Sequence, residues 1–179
     1  MLSGIANFVL RAFQALFAIV VIGLSVTLIR GHHWGSLPWQ LGFACFAGGL
    51  AFIAALIGLA GSFFSFLEGM VGMIIDGVVA VFNILGGIIL AVKLDGVKCE
   101  INDSARNAVA LVENELLNGG TRDKVTWVEY QHQKNVKKAE DVILSHCREA
   151  QADTVFLFLT AVVLLVSGVL LFLRARKGY

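Results

Sequence analysis

The run MIIDGVVAVFNILGGIILAVKLDGVKC places Asp76 near the start of an otherwise apolar stretch. Between Arg30 and Lys93 the only formally charged residues are Glu68 and Asp76. A carboxylate in such surroundings either pairs with a cation or serves as a proton or ion site. Few other residues have the types and spacing that chemistry needs. His32 and His33 are adjacent, but no further ligands close a metal set around them. His146 abuts Cys147, yet no Ser–His–Asp or Cys–His arrangement has a third, orienting group in view. The NILGG and NGG turns lack the lysine and the strand–helix context of a phosphate loop. No enzyme activity, metal or cofactor is expected on these grounds.

The elements that hold these residues follow from composition. Of 179 residues, 58% are hydrophobic and 15% charged. A soluble domain is nearer half apolar and a quarter charged. The net charge of +1 gives no reason to expect a nucleic-acid partner. Four apolar runs reach the ~20 residues that a spanning helix needs, at residues 8–29, 41–59, 72–92 and 155–173. They are continuous rather than alternating, so helices are predicted and not barrel strands. The first run is long for a signal h-region and lacks a persuasive cleavage site, so it is read as a retained span. The predicted fold is all-α: one antiparallel four-helix membrane bundle with a helical cap between the third and fourth spans.

Basic residues favour the cytoplasmic side. Arg174, Arg176 and Lys177 follow the fourth span and Arg11 lies at the start of the first, so both termini are expected inside; Arg30 votes the other way. The segment 93–152 then lies outside. Cys99 and Cys147 stand near its two ends, where an oxidising environment permits a disulfide. Cys45, within the second span, reads as a small packing residue. Asn102 begins a glycosylation sequon, NDS, but close to the bilayer. The cap itself should be helical. An N-cap at Asp103 or Ser104 precedes Val109, Val112 and Leu116, and NGG at 118–120 ends that helix. A second pattern starts near Thr121 or Asp123, carries Val125, Val128, Val136, Val142 and Ile143, and can run on into the fourth span. Trp34 and Trp39 suit a head-group belt, whereas Trp127 and Tyr130 fit packing between cap helices as well as head-group contact.

Depth nominates partners for Asp76. With the N-terminus inside, Asp76 sits about one turn above the inner boundary, level with Arg11 and Gln14 on the first span. An Arg11–Asp76 link is predicted to pin helix one to helix three, with Gln14 beside it. Asn83, two turns further along, extends the same face. Glu68 reads as a loop acid near the basic tail, facing Arg174 or Arg11. The alternative makes Asp76 the centre of a small transporter or channel subunit. That reading lacks a second midplane acid, an intramembrane histidine and a proline-broken helix pair. Small residues crowd the second and third spans: Ala44, Gly48, Gly49 and Gly58, then Gly86, Gly87 and Ala91. Such residues permit close helix approach, within one bundle or between copies.

Several stretches carry a family resemblance. The opening MLSGIANFVLRAFQALFAIVVIGLSVTLI resembles the first helix of fungal MARVEL-like proteins of the non-classical export family, with its early arginine, Phe-rich stretch and Gly23–Leu24. DGVVAVFNILGGIILAVKL followed by Cys99 is similar to that family's third helix. HCREAQADTVFLFLT resembles its approach to helix four, through Cys147, Arg148, Ala150, Gln151 and Ala152. The resemblance implies a four-helix bundle in a fungal plasma membrane that organises lateral, eisosome-like domains. Membrane lipids, sterol or sphingolipid among them, are the implied partners, together with further copies of the chain. It also implies paired cysteines at Cys99 and Cys147, an intramembrane aspartate at Asp76, and no catalytic residues. Two features depart from the family: a longer, helical outer loop and a very short tail after helix four. A non-enzymatic membrane organiser is the leading expectation. Adhesion in trans, as in claudin-like proteins, is a further alternative, but the tryptophan-glycine-leucine loop signature is absent.

Overall fold

A computed structural model describes residues 2–61, 70–100 and 105–176. Glu68, Gly69, Asn102, the Asp103–Ser104 cap, Lys177 and the side chain of Arg174 lie outside the described residues. Three long helices come first: α1 (Leu2–Gly31), α2 (Trp39–Gly61) and α3 (Met70–Lys93). Then α4 (Ala105–Glu113), a two-stranded hairpin of β1 (Thr121–Arg122) and β2 (Val125–Thr126), and α5 (Trp127–Lys134) lead into α6 (Val136–Arg176). By length and composition, four helices among the described residues can cross a membrane: Ile5–Gly31, Trp39–Gly61, Val71–Lys93 and Val136–Leu173.

The four long helices close a ring in the order α1, α2, α3, α6. Cross-helix contacts fix their senses. Gly48 meets Val21, Gln14 meets Ala51, and Gly86 meets Leu157. Phe43 packs on Phe82, and Thr27 meets Glu149. At the other end Arg11, Gly58, Asp76 and Leu171 border one crevice, so each neighbouring pair is antiparallel. The centre is lined by Ala18, Val21, Ala44, Ala47, Ala51, Leu90, Leu157 and Leu164, all essentially inaccessible. The outer faces are as apolar as the core. Ile53, Ile74, Val81, Val162 and Val169 are more than half exposed. Such a surface is costly in water and neutral in hydrocarbon, so the perimeter is the lipid face.

The cap is built differently from the predicted pair of helices. α4 ends at Glu113, before NGG, because Asn114 leaves the helix to donate to the Lys93 carbonyl (2.6 Å) and accept from the Leu116 amide (3.0 Å). The stretch near Thr121 is a hairpin and not a helix start. Asp123 and Lys124 both take positive φ (51° and 67°), the geometry of a two-residue hairpin turn, and pair Thr121 with Thr126. Helix resumes at Trp127, where Thr126 and Glu129 form a reciprocal capping box. Asn135 then breaks α5 and caps α6 through its side chain to the Lys138 amide (3.1 Å). From there α6 runs unbroken for 41 residues. The fourth helix thus begins at Val136, nineteen positions before the apolar run at 155, because polar surface outside a bilayer does not stop a helix.

Asn118, Gly119 and Gly120 tie the cap to the bundle. The Gly119 carbonyl accepts from the amides of His33 (2.8 Å) and Trp34 (3.2 Å), and the Gly120 carbonyl accepts from Trp127 (2.8 Å). Gly120 has φ +96°, and a Cβ there would strike the Trp34 carbonyl. Trp34 is accordingly packed inward, 5.0 Å from Trp127 and 5.1 Å from Tyr130 between ring centroids, and not turned to head groups. Trp39 is 63% exposed. Cys99 and Cys147 are joined across 48 residues, with Cα atoms 5.5 Å apart.

Two outcomes are expected. Serine at either bridged cysteine should lower stability by about 4 kcal/mol, the loop-closure value for this separation, measured as the midpoint of thermal unfolding in detergent against oxidised wild type, with reduced wild type matching the variants. Gly120→Ala should cost at least ~1–2 kcal/mol from the left-handed backbone alone. It should also release the Trp34–Trp127 contact, read as a shift in tryptophan emission.

Candidate functional site

Asp76 is 1% exposed and Arg11 3% exposed, in the half of the bundle away from the cap. α1 and α3 face each other diagonally across the ring, and the arginine is long enough to cross between them. Its Nη1 and Nη2 donate to Asp76 Oδ1 (2.6 Å) and Oδ2 (2.7 Å). Nη1 also donates to Gln14 Oε1 (2.9 Å), and Gln14 Nε2 donates to the Ala51 carbonyl on α2 (3.0 Å). One network therefore joins three helices. The bidentate fork satisfies both carboxylate oxygens, which is the geometry a desolvated pair requires. Arg11 Nε has no partner among the described residues. Beside it lies a crevice of about 10 Å³ bordered by Asn7, Gly58 and Asp76, the size of one water.

Gly58 explains how α2 tolerates the guanidinium. A Cβ at this position would occupy the space of the Arg11 side chain. The other small residues divide by face. Ala44 is fully buried, Gly48 lies against Val21 (a Cβ added there would come 2.7 Å from Cγ1), Gly86 against Leu157, and Gly87 against Phe158 (an added Cβ would come 2.9 Å from the ring). These five, Gly58 included, pack within the bundle. A Cβ added at Gly49 would meet no other group within 4 Å, Gly42 and Gly77 likewise, and Ala91 is exposed. Asn83 is fully buried but separate from the pair: its Nδ2 donates to the Val79 carbonyl of its own helix (2.8 Å). Cys45 is a free, half-buried thiol.

A second buried acid escaped the sequence reading. Asp153 on α6 is inaccessible, and its Oδ2 accepts from Ser25 of α1 (2.7 Å). One turn towards the cap, Thr27 donates to Glu149 (3.0 Å). Beyond that, Gly31 leaves room for the His146 ring, whose Nδ1 is 3.0 Å from the Leu117 carbonyl. The signal was present in Ser25 and Thr27, which sit in α1 facing an acid every fourth residue of α6. It was missed because the fourth span was bounded by its apolar run. His32 carries a pKa below its ordinary 6.5, chiefly through burial, with His33 adding repulsion. No group of three or more His, Cys, Asp or Glu among the described residues can hold a metal ion.

A closed ring of four lipid-facing helices around a paired intramembrane acid defines a multi-pass membrane protein. The chain matches the MARVEL membrane-associating domain over residues 4–170 and belongs to that family. No curated protein and no solved structure matches it.

Two measurements probe the site. Arg11→Leu and Asp76→Leu, each leaving a buried charge alone, should destabilise by about 3–5 kcal/mol. The double variant should lose far less than the sum, a coupling readable from thermal unfolding of all four proteins. Separately, His32 favours its neutral form when folded. Its contribution is therefore complete above pH 6.5 and is lost as the pH falls through the lowered folded value. The wild-type melting midpoint should drop in that acid range, and His32→Asn should flatten the drop, with His33 and Glu115 as the neighbouring titratable groups.

Proposed function

We propose that this chain is a non-enzymatic organiser of the plasma membrane, associating laterally with further copies and with selected lipids to partition or shape membrane domains. The observation that carries the reading is the division of its small residues. The bundle satisfies its own packing with Ala44, Gly48, Gly58, Gly86 and Gly87, yet leaves Gly42 and Gly49 on one outward face of α2. These two are seven residues apart, two helical turns, and offer a neighbouring helix a close approach. Asp76 is engaged by Arg11 on both oxygens, which favours a structural role over an ion site.

Orientation follows from two supports. The Cys99–Cys147 bridge suits an oxidising space, which supports a cap on the outer side. Arg11 and Arg176, at the opposite end of the bundle, belong in the cytoplasm with both termini. The likeness to the fungal non-classical export family supports an eisosome-like setting with sterol- or sphingolipid-rich surroundings.

Reconstitution into vesicles at rising protein density is the direct test. Copies should cluster, and cross-linking should yield oligomers. Gly49→Leu should weaken association about tenfold, equivalent to 1.4 kcal/mol, without lowering the monomer's melting midpoint. Evenly dispersed monomers in flat vesicles at high density would overturn the reading.

A further inference from the structure

On the cap side of the bundle, a cavity of about 540 Å³ opens between the first turn of α2, the end of α3 and the Asn118–Thr121 turn. Its wall includes His32, Ser36, Trp39, Gln40, Lys93 and Glu115. Trp39 is the first residue of α2 and Lys93 the last of α3, so the cavity lies where the apolar spans end and head groups begin.

Three features of that wall want a ligand. Gln40 is 5% exposed, yet its Oε1 has no hydrogen-bond partner among the described residues, and neither has Nε2 of His32. Each atom has almost no exposed surface as the side chains stand, so a ligand reaches Gln40 Oε1 once that amide turns into the cavity it lines. Lys93 and Glu115 form only a loose pair, 3.9 Å apart with both side chains well exposed, so each is free to exchange the other for a better partner. The first turn of α2 adds the positive end of a 23-residue helix. A cation and a helix N-terminus suit a phosphate. An amide oxygen and a carboxylate suit hydrogen-bond donors.

We propose that this cavity is a head-group site for a membrane lipid of the cap-side leaflet bearing a phosphodiester and, beyond it, N–H or O–H donors; phosphatidylethanolamine is the simplest such lipid. The phosphate sits between the Lys93 ammonium and the first turn of α2. The donors turn towards Gln40 Oε1 and Glu115. The exposed Trp39 ring and Leu37, 43% exposed, border the path of the chains into the bilayer. Phosphatidylcholine offers the same phosphate but no donors, and so leaves the acceptors unpaired. This deepens the lipid-contact half of the proposed function and does not depend on copies associating.

The full-length protein, reconstituted in vesicles of equal phosphatidylethanolamine and phosphatidylcholine and gently extracted, would be weighed with its retained lipids by native mass spectrometry. Phosphatidylethanolamine should be enriched about tenfold. Gln40→Leu and Glu115→Ala should each cut that enrichment about three- to tenfold, Lys93→Gln should lower retention of both lipids without changing their ratio, and Ile53→Ala on the lipid face of α2 leaves the enrichment unchanged. Equal retention of the two lipids overturns the proposal. So does enrichment that survives Glu115→Ala, an exposed site whose change folds whether or not Gln40→Leu does. Binding of soluble glycerophosphoethanolamine in pure phosphatidylcholine vesicles would likewise overturn it, by removing the lipid as the source. Oligomer peaks in the same spectra report lateral association independently.

Discussion

A charge in hydrocarbon is among the costliest features a membrane helix can carry unless it is paired, and α3 carries Asp76. The fork between Arg11 and Asp76 is what lets α3 occupy the bilayer at all. Much of the surrounding sequence follows from it. Gly58 is small because the guanidinium passes over it, and Gln14 is polar because a second acceptor is needed. Ala51 lends its carbonyl to close the chain of bonds. Because the pair crosses the ring diagonally, it fixes the relative height of two helices that are not neighbours. A slip of one turn along either would strand both charges.

The opposite end is fastened by other means. There the chain leaves the bilayer, water can satisfy the backbone, and covalent and polar links take over. The Cys99–Cys147 bridge ties the exit of α3 to α6. His146 reaches from α6 past Gly31 to the Leu117 carbonyl, and Gly119 receives the loop that follows α1. Between the two fastened ends, alanine, glycine and leucine fill the centre, with Asn83, Ser25, Asp153, Thr160 and Ser167 among its buried polar residues. The fold is thus a smooth-walled bundle held by ionic contact at one end and by a disulfide and backbone bonds at the other.

The membrane helices were legible because twenty apolar residues have one solution in lipid, whatever their detail. The ion pair was legible because depth along antiparallel spans leaves Asp76 few cations to meet. What failed was everything governed by local competition. Asp123 and Lys124 are not the glycine-containing pair that announces a hairpin, so β1 and β2 were read as the start of a helix. The TWVE capping box was in plain view but lay inside that misread stretch. Trp34 looked like a head-group anchor because its partners, Trp127 and Tyr130, are nearly a hundred residues away. The glycines of α2 and α3 could not be assigned to core or perimeter, since composition does not reveal a helix's rotation about its own axis.

α6 has a mechanical corollary. A continuous helix of 41 residues is a rod about 60 Å long, and only residues 155–173 form its apolar run. The remainder stands out of the bilayer with the hairpin, α4 and α5 hung upon it. Pivoting such a rod by 10° about the membrane centre sweeps its far tip through about 7 Å. Changes in bilayer thickness, which a spanning helix meets partly by tilting, are thereby amplified into displacements at the tip.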